Sequence, residues 1–211
     1  MSDSPDYKDR LQRGDWMVCD AELSKATRMV SELHYAGGGS NTSTALHGLY
    51  RKADYKLMGV AWWIPPTRTA ARAWWTNPEE VLVLSRLVLD PEVPKNGATF
   101  LLSKSVKLID SRWKCLITYA DTWRGHTGHI YRAAGWEYLG LTKPERTYTV
   151  DGRMVARKAG PITRTHSEML AIGAQMVGAF SKHRFRLIRN LQRCAPPLTQ
   201  EHFPDFLEVS A

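Results

Sequence analysis

The sequence predicts an α/β fold: a mixed sheet with helices on both faces, plus a basic helix at the C-terminal end. Three observations carry this. Segment types follow the order α, β, β, then β-α-β-α-β-β, the alternation that gives a sheet covered by helices. The run Val81-Leu82-Val83-Leu84-Ser85-Arg86-Leu87-Val88-Leu89 is too continuously apolar to be half-exposed and reads as a strand covered on both sides. Ala98, Leu102, Val106, Ile109 and Trp113 recur at helical steps and form one stripe, with Lys104, Lys107 and Ser111 opposite.

The other elements follow in turn. Residues 1–13 form a polar lead-in. Ser24 is placed to cap a helix through Ala26, Met29, Val30 and Leu33 that ends at His34-Tyr35, ahead of a glycine loop at Gly37-Gly38-Gly39. Leu46 to Arg51 and Leu57 to Ile64 are strands, the second stopped by Pro65-Pro66. Thr67 to Trp75 is a short helix or ordered loop. Cys115 to Ala120 is a buried strand that ends at Asp121. Thr127 to Ala134 is a short helix closed by Gly135, and Trp136 to Leu141 is a strand. Arg146 to Ala156 is a hairpin around Asp151-Gly152. About Ser167 to Asn190 a final helix is expected, apolar first and basic later. The domain division is thus a lead-in over 1–13, an α/β domain over 14–160 and a helical extension over 161–211.

Composition narrows the class. No apolar run reaches 18 residues and the N-terminus is polar, so neither a membrane span nor a signal peptide is expected. Three scattered cysteines without a CxxC pair exclude a disulfide scaffold and a zinc ribbon, and fit a reducing compartment. Twenty-nine Lys and Arg against 21 Asp and Glu leave a net charge of +8, which favours polyanionic partners, nucleic acid first. Plain solubility is the competing explanation.

Several places break the logic of an apolar core. Ser85 and Arg86 interrupt the covered strand. A buried guanidinium needs an acid, carbonyls or an anionic ligand, and the two residues share one cleft only if the strand bulges. Asp121 ends a central strand, where ligand crevices of open α/β sheets lie; capping of the next turn is the simpler role. Thr122 to Tyr131 is a glycine-bearing loop entering a helix, with Thr127 and Gly128 placed to present backbone N–H groups to an anion. Asp121, His126 and His129 together suggest a metal, yet no HExxH or comparable spacing accompanies them, and three such residues in a loop are more often hydrogen-bonding groups, so no metal ligand is assigned. His34 and Tyr35, followed by the Gly37 to Asn41 loop, stand ready to close over a site.

Trp62-Trp63, Trp74-Trp75 and Trp123, with Arg68, Arg72 and Arg124, suit stacking of an extruded base, against core packing as the alternative. In the expected C-terminal helix, Lys182, Arg184, Arg186, Arg189 and Arg193 are spaced to track a phosphate backbone.

Tyr131-Arg-Ala-Ala-Gly135-Trp136 resembles the "Tyr, three residues, Gly-Phe" signature of the GNAT acyltransferase superfamily, whose β-α-β core the preceding elements match. That family's Arg/Gln-x-x-Gly-x-Gly/Ala loop reads here Pro94-Lys95-Asn96-Gly97-Ala98-Thr99, with one glycine and no arginine, which argues against ordinary acetyl-CoA use. A closer resemblance is to the Mom family of phage DNA-modification proteins, a divergent GNAT branch. It rests on His34-Tyr35, Leu84-Ser85-Arg86, Lys95-Asn96, Tyr119-Ala120-Asp121, Gly125-His126-Thr127-Gly128, Tyr131 and the stretch from Trp136 to Thr142.

This resemblance implies an enzyme that converts adenine in duplex phage DNA to an N6-carbamoylmethyl form, protecting the genome from restriction. It implies Asp121 as acceptor for the amine and Tyr131 as donor to the leaving group. Ser85 and Arg86 would hold the donor or developing charge, His34 and Tyr35 would form the far wall, and Lys95, Asn96 and Gly97 would bind a donor phosphate. The partners expected are double-stranded DNA, an acyl- or glycyl-type donor that is small or carrier-borne, and a second copy in a homodimer, with no membrane, in the host bacterial cytoplasm. The rival functions are a conventional GNAT N-acetyltransferase using acetyl-CoA and a non-catalytic DNA-binding protein.

Overall fold

The computed structural model of the chain describes residues 10–35, 43–159 and 162–189. Its first elements are β1 (Trp16–Asp20), α1 (Leu23–Leu33), β2 (Ala45–Arg51), β3 (Lys56–Ile64), α2 (Arg68–Arg72), β4 (Val81–Leu89), α3 (Gly97–Leu108), β5 (Cys115–Asp121), α4 (His129–Ala133) and β6 (Glu137–Leu141). Then come β7 (Glu145–Val150), β8 (Arg153–Val155), β9 (Lys158–Ala159), β10 (Ile162–Thr163), α5 (His166–Ala171), β11 (Gln175–Phe180) and β12 (Lys182–Ile188). The glycine loop expected to close over the site, with Arg193 and Cys194, lies outside the described residues.

The central sheet runs β1-β2-β3-β4-β5-β12-β6. Only β4 and β5 pair in parallel. The crossover between them is α3, which lays Leu101 and Leu102 on Leu49, Met58, Trp63, Leu82 and Leu116. On the opposite face α1 packs Ala26 and Val30 against Val60, Trp62 and Val88, and α2 adds Ala71 to Val81, Cys115 and Ile117. Helices therefore cover both faces. Trp62 and Trp63 are fully buried on opposite sides of β3 and are core residues.

Several expectations need correction. Residues 10–13 are not loose: Leu11 is buried and its N–H donates to Lys95 O at 3.0 Å. From there the chain enters β1, which the sequence reading missed. Glu22, not Ser24, precedes α1, and the Ser24 hydroxyl donates to the Glu22 carboxylate. The basic C-terminal helix does not exist as expected. Residues 166–188 form α5, β11 and β12, and β12 lies between β5 and β6, so this part of the chain is inside the main sheet and not a helical extension. The reason is local: in Lys182-His-Arg-Phe-Arg-Leu-Ile, Phe185 is fully buried and Leu187 packs on the same core, a period of two. Gly173, at φ +80°, ends the short helix before it.

β12 also changes the roles of two arginines assigned to DNA. Arg189 is buried, and its guanidinium donates to Asp110 O at 2.6 Å, Trp113 O at 3.0 Å and Ile109 O at 2.8 Å. These carbonyls belong to the turn that follows α3. The helix stops at Leu108 although its apolar stripe continues, and Arg189 satisfies the carbonyls left behind. Arg186 donates through Nε and Nη2 to Glu137 Oε2 at 3.0 and 2.7 Å. Arg189→Ala removes the donor from the buried Trp113 and Ile109 carbonyls and is expected to cost about 3 kcal/mol in urea unfolding.

Between β6 and β12, residues 142–181 form a small module of their own. Its sheet runs β11-β7-β8, and Tyr148, Met169 and Ala174 make its core. Asp151 and Gly152, at φ 51° and 74°, form the tight hairpin turn between β7 and β8 that the sequence predicted.

Candidate active site

The parallel ladder of β4 and β5 runs from Val81↔Cys115 only as far as Leu84↔Thr118. There β4 bulges: Trp63 opposes Leu84 and Trp62 opposes Arg86, which makes Ser85 the extra residue. The bulge puts Ser85 on the wall of the cavity that opens beyond it. Arg86 and Asp121 are not among its lining residues and stand behind it, Arg86 beside His34 and Tyr35 and Asp121 in contact with Tyr35. Ser85 Oγ donates to Trp62 O at 3.2 Å. Beyond this point the two strands part, and a cavity of about 410 Å³ opens between them. Its walls include His34, Tyr35, Ser85, Thr118, His126 and Tyr131.

The two faces of the sheet contribute different groups. Residues alternate along β5, so Thr118 lies on the α3 and α4 side, whereas Asp121 lies on the α1 side. Asp121 is buried; its Oδ1 accepts from Trp123 N–H at 3.1 Å and its Oδ2 from Tyr35 O–H at 3.4 Å. The cap and the site contact are thus both real, one on each oxygen. Burial and the adjoining Asp121 charge push the Tyr35 phenol up to about 12, with Arg86 working against them. The phenol is therefore a standing donor to Asp121.

Tyr131 enters from the other face on α4. It is buried, with its ring against Trp136 and Phe185 at 5.8 and 5.2 Å. Its hydroxyl meets Thr118, and Thr118 Oγ1 donates to Leu84 O at 3.2 Å. Burial raises the phenol's pKa, and Thr118 works in the opposite direction, because it can turn its proton towards a phenolate. The sequence reading missed Thr118; its one signal was a hydroxyl in an otherwise apolar strand. Gly128 seats α4: at φ +73°, a Cβ there would lie 2.2 Å from the Phe185 ring.

Arg86 is half-buried. Its Nη1 donates to Ser85 O at 2.7 Å, and its Nε is buried with no partner among the described residues. No carboxylate lies within 4 Å of it among those residues, so the structural salt bridge is not found. Burial lowers its pKa, and the facing Tyr35 opposes that. A cation kept dry with unspent donors is suited to an anion or to developing negative charge.

His34 stacks on Tyr35 at 4.4 Å. Burial, then the charges of Arg86, His126 and Arg124, lower its pKa to about 4, so at neutral pH the ring is uncharged. Below pH 6.5 the unfolded chain takes up a proton that folded His34 refuses until about pH 4, so stability falls as pH drops through that window. His34→Gln is expected to shrink the loss of stability between pH 7 and pH 5 in urea unfolding. His47, buried and also held near 4, keeps its own share.

At the mouth, the Arg124 guanidinium lies 4.3 Å from the Trp123 ring and 5.1 Å from the Tyr35 ring. Thr127 and Gly128 line the cavity as well. Arg68 is exposed and paired with Glu79 at 2.6 Å, and Arg72 is exposed on α2; neither belongs to the cavity wall. Among the described residues no three His, Cys, Asp or Glu are grouped to hold a metal ion.

The expected donor loop behaves differently. Lys95 is exposed, and Asn96, in a left-handed conformation, lines a separate groove with Arg13 and Lys104. A Cβ on Gly97 would lie 2.2 Å from the Val93 side chain, so this glycine serves packing and leaves no cradle for a pyrophosphate. Ala98 is the residue of that turn that reaches the 410 Å³ cavity. The residues present do not fit the acyl-CoA loop.

Residues 15–203 match the family model described as the Mom protein family. The chain belongs to that family. Solved structures share the fold of this Mom family chain at low identity. One is an N-acetyltransferase from Staphylococcus aureus Mu50, with TM-score 0.52 and 10% identity over 82% of this chain and 98% of that one. A variant of the spermidine N-acetyltransferase from Vibrio cholerae gives 0.52 and 9% over 83% and 94%. A GNAT family acetyltransferase from Elizabethkingia anophelis with acetyl-CoA bound gives 0.50 and 9% over 83% and 100%. The fold is therefore GNAT-like. Comparison with curated proteins finds no match. Among the described residues no helix is long and apolar enough to cross a membrane.

Proposed function

We propose that this Mom family chain is a DNA-modifying transferase that converts adenine in duplex phage DNA to N6-carbamoylmethyl (acetamido) adenine, shielding the genome from host restriction. One observation supports the proposal: in a chain of this family, Tyr35, which donates to Asp121 behind it, lines the same cavity as Thr118 and Tyr131, beside a bulge in β4.

The N6 amine is weakly nucleophilic and, in a duplex, is engaged in base pairing, so the base must leave the stack. Tyr35, Trp123 and Arg124 supply faces at the mouth on which a purine stacks. The N6 lone pair attacks the electrophilic carbon of an activated two-carbon donor, small or carrier-borne. The N–C bond forms as the bond from that carbon to the leaving group breaks. The amine's proton passes to Asp121, and the leaving group takes the Tyr131 proton. Arg86 offsets negative charge as it builds on the donor.

The test is mass spectrometry of nucleosides from DNA of a bacterial host expressing the chain. A carbamoylmethyl adduct on deoxyadenosine is the expected result. Unmodified deoxyadenosine at good expression overturns the proposal, and an N6-acetyl adduct would assign acetyl transfer instead.

A further inference from the structure

The 142–181 module is rooted beside the cavity. β12 runs antiparallel to β5 with Lys182 opposite Asp121, so the module's return strand joins the sheet where the site lies. Thr122, next to Asp121, donates through its N–H and Oγ1 to Ser181 O at 3.2 and 2.7 Å. On the outgoing side, Lys182 N–H donates to Thr142 Oγ1 at 2.9 Å. Both connections are therefore fixed within a residue or two of the reacting groups.

The module's surface is unlike that of the sheet it leaves. It carries Lys143, Arg146, Arg153, Arg157, Lys158 and Arg164 against Glu145, Asp151 and Glu168. Glu168 is engaged by Thr165 in the cap of α5. None of the six cations has a carboxylate within 4 Å among the described residues. On the β2–β3 hairpin, by contrast, Arg51 pairs with Asp54 and Glu92, and Lys56 with Asp90. Arg157 is engaged with Arg164 O at 3.0 Å and Arg164 acts on Glu168, which leaves Lys143, Arg146, Arg153 and Lys158 exposed without an acid, a surface for a polyanion. The edge strand β11 adds apolar side chains. Its ladder to β7 shifts between Met176 and Gly178, and Met176 and Val177 are 48% and 40% exposed. A bulge on an edge strand discourages pairing with another strand, while exposed Met and Val on the same small unit as these cations suit the sugar and base edges of a nucleic acid groove.

We infer that the 142–181 module is a second DNA-binding surface, which grips the phosphate backbone of the duplex flanking the adenine held in the cavity. The inference rests on the proposed function in taking duplex DNA as the partner. It assigns most of the sequence-independent affinity to the module, and leaves recognition of the base to the cavity.

The test measures binding of a fluorescent duplex by anisotropy across a salt series, using full-length protein. The variants are Arg146→Glu/Arg153→Glu/Lys158→Glu on the module and, as an equal charge change elsewhere, Lys104→Glu/Lys107→Glu/Lys114→Glu. All three module positions are exposed, and the matching triple alanine variant guards against a folding artefact of charge reversal. Each phosphate contact contributes about 0.9 to the slope of log K against log salt. The module variant is expected to bind at least tenfold more weakly at about 100 mM salt, with a slope smaller by about two to three. The alanine variant should show the same slope change with a milder loss. Equal losses in module and control variants, or no loss in the module variant, overturn the inference while leaving the proposed function standing. Failure of the unmodified protein to bind duplex DNA at all overturns both.

Discussion

Tyr131→Phe is expected to keep the fold and to lower adenine modification at least a hundredfold. The ring stays packed on Trp136 and Phe185, since only the hydroxyl is removed. Thr118 retains its bond to Leu84 O, so the stability lost should be about 1 kcal/mol. Loss of a positioned proton donor lowers rates by about 10²–10⁴-fold. The measurement is the modified fraction of deoxyadenosine, read beside a thermal unfolding curve. Full modification by the variant would remove Tyr131 from the chemistry and leave it a core residue.

Asp121→Asn is expected to match that loss of modification while barely changing stability. The amide keeps an oxygen for Trp123 N–H, which preserves the cap of the turn. What disappears is the negative charge that accepts the amine's proton. The same charge helps hold the Tyr35 phenol near 12, so ultraviolet titration of Tyr35 should move downwards in the variant. That shift reports on the Tyr35–Asp121 contact independently of activity. Unaltered modification would sink the role assigned to Asp121, and an unmoved titration would sink the contact itself.

Much of the frame was legible because its signals are local. The apolar run at 81–89, the helical stripe at 98–108 and the Asp151-Gly152 turn each depend on residues close together in the chain. Ser85 and Arg86 were legible as a conflict: two polar residues in a covered strand required a bulge, and β4 has one at Ser85. The fate of the C-terminal stretch was not legible. Lys182, Arg186, Arg189 and Arg193, at steps of four, three and four, look like one solvated helical face, but β12 inserts between two strands more than forty residues earlier in sequence, and that pairing is decided by β5 and β6. Arg189 misled for the same reason, because the carbonyls it satisfies belong to a turn some 80 residues away. Thr118 was missed because a hydroxyl within a buried strand gains meaning only when the strand beside it departs.

The place of β12 in the sheet has a consequence for biosynthesis. On the ribosome, β5 is made early, yet its neighbour on one side is the last described strand of the chain. At about 5–20 residues per second, the stretch from residue 121 to residue 188 leaves that edge of β5 bare for several seconds. An uncovered apolar strand of this kind invites pairing with other chains. Nascent protein therefore cannot complete the wall that carries Asp121 until β12 has been made, and activity should not precede the emergence of that strand.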